Sequence, residues 1–141
     1  MKHLFANCAT VGMVLSIMMV AVSCRKGSQK PTPPAPPRTV RYTLYTEQNF
    51  STDNHTITFE LWMRRKGDGR PLFDSSLASM KISEIPDKAH AIVIDKVVPP
   101  GNNDVDIQLA FLYTIQDVGF SWYLDSARAG ELSHTIEYSF K

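Results

Sequence analysis

Cysteine is nearly missing from this chain. Only Cys8 and Cys24 occur in 141 residues, so beyond residue 24 there is no disulfide, thiolate metal ligand or cysteine nucleophile to consider. Histidine is scarce and scattered. His55, His90 and His134 lie far apart, and none shows the paired spacing that places two imidazoles on one zinc ion. No Gly-x-Ser-x-Gly turn exists, which removes the commonest serine-hydrolase signature and leaves only a triad built from dispersed residues. No internal repeat is visible, and no long apolar run occurs after Val22. A folded part without disulfides must be held by its core, and about 100 residues suffice for one.

The apolar material that does run unbroken is N-terminal. Lys2 and His3 precede a 19-residue stretch, Leu4 to Val22, that ends Ala21-Val22-Ser23-Cys24 and is followed at once by Arg25 and Lys26. This arrangement resembles the lipobox of bacterial lipoproteins. The resemblance implies that residues 1–23 are a cleaved signal peptide, that Cys24 carries a covalent lipid, and that the protein meets a membrane through that anchor. Two alternatives stay open: cleavage by ordinary signal peptidase after Ala21-x-Ser23, and an uncleaved anchor. The second would set Arg25 and Lys26 on the far side of the membrane, against the bias that keeps basic residues cytoplasmic.

Residues 24–38 then read as a tether. Arg25 to Arg38 holds nothing apolar larger than alanine or proline, and Pro31-Thr32-Pro33-Pro34-Ala35-Pro36-Pro37 favours polyproline II. At about 3.1 Å per residue it reaches roughly 40 Å. Charge divides at the same boundary. Arg25, Lys26, Lys30 and Arg38 make the tether +4, whereas residues 39–141 carry 10 Lys or Arg against 14 Asp or Glu, a net −4. A basic stem suits acidic headgroups, and an acidic domain is repelled by nucleic acid, so no nucleic-acid partner is expected.

From Thr39 onward the apolar period is two. Val40, Tyr42 and Leu44 alternate with polar neighbours, as do Ile57, Phe59, Leu61 and Met63. The clearest alternation, Val105 to Ile115, predicts a long central strand. Further strands are expected at Pro71–Phe73, Lys81–Ser83, Ala89–Val98, Gly119–Leu124 and Ser133–Phe140, with Ala91–Val98 suited to a central position. Ser75 to Met80 predicts one short helical turn. About seven short strands separated by Asn, Asp, Gly and Pro clusters predict an all-β fold, a single antiparallel β-sandwich of immunoglobulin-like or related type spanning 39–141.

Candidate site residues are few. Asp104 and Asp106, after Asn102 and Asn103, offer oxygen ligands in one loop, with Asp117 or Asp125 available from others. The spacing is not that of an EF-hand, so a solvated Asx-rich turn is the expectation and calcium the minor alternative. Trp62 points away from Phe59, Leu61 and Met63 and is a candidate contact for a glycan or a partner protein. Phe120, Trp122 and Leu124 share one face, with Trp122 read as core, and Tyr123 on the other face is a second candidate contact. Asp125-Ser126-Ala127 is similar to the short O-glycosylation motif of small lipoproteins in the Bacteroides group of Gram-negative bacteria, which makes Ser126 a modification candidate. Exported lipoproteins of that group carry acidic residues after the acylated cysteine. Arg25 and Lys26 depart from this, favouring an outer membrane location facing the periplasm over surface display.

The expectation is therefore a lipid-anchored cell-envelope protein whose domain serves as a non-enzymatic binding or accessory module, with no cofactor beyond the lipid on Cys24. A structural subunit packing against a larger envelope complex is the alternative, and a hydrolase with dispersed residues a distant third.

Overall fold

The computed structural model describes residues 36–141; the apolar N-terminal run, Cys24 and most of the proline-rich segment lie outside the described residues. Eight strands follow in order: β1 (Thr39–Thr46), β2 (Thr56–Arg65), β3 (Pro71–Ser76), β4 (Met80–Lys81), β5 (Ile92–Val97), β6 (Ile107–Ile115), β7 (Gly119–Ala127) and β8 (Ser133–Phe140). They form two sheets, one in the order β5-β1-β8 and one in the order β3-β2-β6-β7, with β4 also paired to β2. The fold is an all-β sandwich, as the alternation predicts.

Period two does the sorting. One side of β1 supplies Val40, Tyr42 and Leu44, one side of β2 supplies Ile57, Phe59, Leu61 and Met63, and one side of β6 supplies Ile107, Leu109 and Phe111. All are buried, and Ile136 and Phe140 of β8 close the core. Each such side chain contributes about 1.5–3 kcal/mol by leaving water. Aromatic edges meet across the two layers: the Tyr42 and Phe111 rings stand 5.6 Å apart at 83°, and Phe59 and Phe140 stand 6.1 Å apart at 86°. The Tyr42 hydroxyl donates to the Trp62 carbonyl at 2.9 Å, which satisfies the phenol inside the sandwich.

Several local expectations are corrected. The β1–β8 pair is parallel; a parallel pair needs a long connection, and the rest of the domain supplies it. Ala91–Val98 is not central, because β5 starts at Ile92 and lies at a sheet edge with Val93 and Val97 exposed. Asp87 caps a 3-10 turn over Lys88–His90, which delays that strand. Ser75 to Met80 is no helical turn. Strand β3 runs on to Ser76, and the Leu77 N–H donates to the Phe59 carbonyl at 2.7 Å, so tertiary pairing overrides the local pattern. A further 3-10 turn lies at Ile82–Glu84, so the strand expected over Lys81–Ser83 ends at Lys81.

Arg38 belongs to the folded domain and not to a solvated stem. Its side chain is 1% exposed. One guanidinium nitrogen donates to the Asn102 and Val105 carbonyls at 3.1 and 2.7 Å, and another donates to the Arg128 carbonyl at 2.6 Å. Asn102 is held in turn through its own amide, which donates to the Pro99 and Pro100 carbonyls. A buried cation is tolerated when most of its donors are met; both terminal nitrogens are, and only the buried Nε lacks a partner among the described residues. Here the cation ties the entry of β1 to the loop before β6 and the loop after β7.

Candidate functional site

The outer face of the larger sheet carries the exposed apolar surface. In β7 the register with β6 sets Tyr123 opposite Phe111 and Asp125 opposite Leu109, so these residues take the inward parity. Phe120, Trp122 and Leu124 therefore point outward, at 68%, 57% and 44% exposure. This reverses the expectation that Trp122 is core. Tyr123 is the residue that leans inward, its ring stacked 5.1 Å from Tyr138 of β8, and it remains 38% exposed at the sandwich edge.

Cross-strand pairing builds the surface in rows. Leu124 pairs with Ala110, and Ala110 pairs with Trp62, so these three cross the sheet together. The next row holds Trp122, Leu112 and Glu60, and the one after it Phe120, Thr114 and Thr58. The Phe120 and Trp122 rings stack at 6.0 Å and 27°. Trp62 is half-buried, and the Arg64 guanidinium lies 4.9 Å from its ring centre, a cation-π contact that holds the indole against the sheet. The aromatic strip on β7 and Trp62 on β2 are separated by two strand spacings, roughly 10 Å. Around them stand Thr58, Glu60, Arg64, Gln108 and Thr114, all with hydrogen-bonding groups on the same face.

The opposite sheet offers no comparable surface. Its exposed Val93 and Val97 are separated by Asp95, whose carboxylate takes two hydrogen bonds from Arg41 at 2.7 and 2.9 Å. An ion pair in the middle breaks the apolar area.

The remaining sequence candidates are dispersed. Asp106 accepts from the Ala129 N–H at 2.9 Å and so anchors a loop. Asp104 lies just before it, while Asp117 sits at the tip of the β6–β7 turn with φ 59°. The nine residues of β6 keep the two ends about 30 Å apart. No group of three potential metal ligands comes together among the described residues. Ser126 is exposed on the outer face beside Gln108, its N–H bonded to the Asp125 carboxylate at 2.7 Å.

Among the described residues, each histidine pairs with a carboxylate. His55 and His90 bond the nearby Asp53 and Asp87 at 2.7 and 2.8 Å, both at the exposed surface. His134 differs, for it lies between Glu131 at 2.8 Å and Asp125 at 3.0 Å with little exposure. Burial pulls its pKa down, but the two carboxylate hydrogen bonds outweigh this and hold it above the ordinary imidazole value. Glu131 is held below the usual carboxylate range by the His134 hydrogen bond. The arrangement joins β8 to the edge strand of the other sheet.

Arg38 and the outward set of β7 are what the sequence reading missed. Arg38 carried no local signal, because its partners are backbone carbonyls 64 or more positions away. For β7 a signal existed: Phe120, Trp122 and Leu124 alternate with small or polar residues, and only the choice of face was wrong. Comparison with protein-family models, with curated proteins and with solved structures found no match, so the reading of this surface rests on its own geometry.

Proposed function

We propose that the protein is a non-enzymatic binding or accessory module of the cell envelope, anchored through lipid on Cys24, whose working surface is the outer face of the larger sheet around Phe120, Trp122 and Trp62. The observation that carries this is the uncovered strip of Phe120, Trp122 and Leu124 on a sheet whose other face is core. Exposed aromatics on a flat support present π faces to the C–H face of a sugar ring, and the hydroxyls find Glu60, Arg64, Gln108 and Thr114 at the margins. A glycan is therefore the ligand class this surface suits. The basic residues Arg25 and Lys26 favour the periplasmic side of the outer membrane.

The chain contains two tryptophans, Trp62 and Trp122, and both belong to this face. Intrinsic emission is thus a direct reporter. Titration with soluble oligosaccharides released from the envelope is expected to shift or quench it, with Trp62→Phe and Trp122→Phe dividing the signal. Binding seen by calorimetry with unchanged emission would contradict the site. A second reading, a structural subunit packing against an envelope complex, is favoured by the free edge of β7.

A further inference from the structure

We infer that β7 pairs with the β7 of a second copy of this chain, in antiparallel register about a two-fold axis at Tyr123, joining two five-stranded sheets into one. The strand ends its sheet, and its first six residues are exposed. Sheet edges are ordinarily guarded by lysine, proline or charge, because unpaired backbone groups recruit other strands. The other edges follow that rule: β3 opens with Pro71 and carries Asp74, β5 carries Asp95 and Lys96, and β8 carries His134 and Glu137. Gly119–Ala127 contains no lysine, arginine or proline. Its one charge, Asp125, is already met by His134 at 3.0 Å.

The sequence of β7 is self-complementary in that register. Two-fold symmetry about Tyr123 sets Trp122 against Leu124 and Phe120 against Ser126 on the outer face, and Ser121 against Asp125 on the inner. Large apolar side chains meet across the new seam, and no like charges oppose each other. A register centred on Asp125 would bring the two carboxylates together, so charge selects against it. The seam consists of the backbone of nine residues and the facing flanks of Trp122 and Leu124, while the outer faces of the rings stay open; this is less than the ~800 Å² that one partner gives to a standard interface, which sets a weak, reversible dimer. The pairing does not require the glycan reading, but it would set two aromatic strips side by side on one continuous face.

The test is sedimentation equilibrium on the chain from Arg25 to Lys141, with thermal melts confirming that each variant is folded. The expected result is a reversible dimer with a dissociation constant on the order of 10–100 μM. Ser121→Asp should weaken it about tenfold, because symmetry applies the repulsion from Asp125 twice. Ser121→Lys, which meets Asp125 with opposite charge, should hold or tighten it. Trp62→Ala, two strands from the seam, should leave it unchanged while impairing oligosaccharide binding. A monomer at about 1 mM, equal weakening by Ser121→Asp and Ser121→Lys, or loss of the dimer in Trp62→Ala would each overturn the inference. None of these results bears on whether oligosaccharide shifts the tryptophan emission.

Discussion

His134 Nε2 stands 3.0 Å from an Asp125 carboxylate oxygen, and this contact joins the last strand of one sheet to the edge strand of the other. Few other contacts hold β7 to the smaller sheet, Tyr123 on Tyr138 among them. The strand that displays Phe120 and Trp122 is therefore fixed at one end by a titratable group.

That group sets a pH dependence. A histidine whose folded pKa is raised contributes fully below its unfolded value of about 6.5, and the contribution is lost as pH rises through the folded value. Glu131, held low, contributes above the ordinary carboxylate range and loses its contribution in acid. The clamp is strongest between these limits, near pH 5 to 6. Chemical denaturation from pH 6 to 9 should show wild type losing stability, with the loss absent in His134→Gln. Parallel pH profiles for the two proteins would refute the clamp.

Arg38→Met should destabilise the domain by about 3 kcal/mol or more, because the Asn102, Val105 and Arg128 carbonyls lose their donors together. Arg38→Lys should recover only part of this, since an ammonium lacks the planar fork. Urea titration measures both. A change within about 0.5 kcal/mol would place Arg38 among ordinary surface residues.

The face assignment of β6 is tested by substitution. Leu109→Ala or Phe111→Ala should cost about 2–5 kcal/mol, and Gln108→Ala on the outer face should stay within about 0.5 kcal/mol. The reverse order would invert the sheet.

Much of this fold is legible in residue order. Strands β1 and β2 set an apolar face against a mostly polar one, and β6 sets Ile107, Leu109 and Phe111 against a mixed face of Gln108, Ala110, Leu112 and Thr114, so alternation identifies these elements and their buried sides. Strand β7 shows where that logic stops. Period two separates Phe120, Trp122 and Leu124 from Ser121, Tyr123 and Asp125, but which set faces inward depends on pairing with Phe111 and Leu109, a non-local fact. An apolar set usually lies inside, and here it lies outside, which is why the same strand carries the candidate site. Arg38 was illegible for a related reason: backbone carbonyls from distant loops have no side-chain signature. Trp62 was placed outward because β2 leaves only one face for the core.

The proposed anchor rests on Cys24. Cys24→Ala should abolish acylation and move the protein from the detergent phase to the aqueous phase, with the mass of the lipid lost. Unchanged partitioning of the variant would show that Cys24 does not carry the attachment.

The most direct test of the outer face is Trp122→Ala, read in two ways on one sample: its thermal transition, and its affinity for oligosaccharide released from the envelope. A side chain that is 57% exposed contributes little to folding, so the transition should stay within the shift expected for about 0.5 kcal/mol. Affinity should fall by about 2 kcal/mol, the loss typical of a central aromatic contact. A variant that unfolds more easily yet binds as well as wild type would contradict the account and make Trp122 a packing residue.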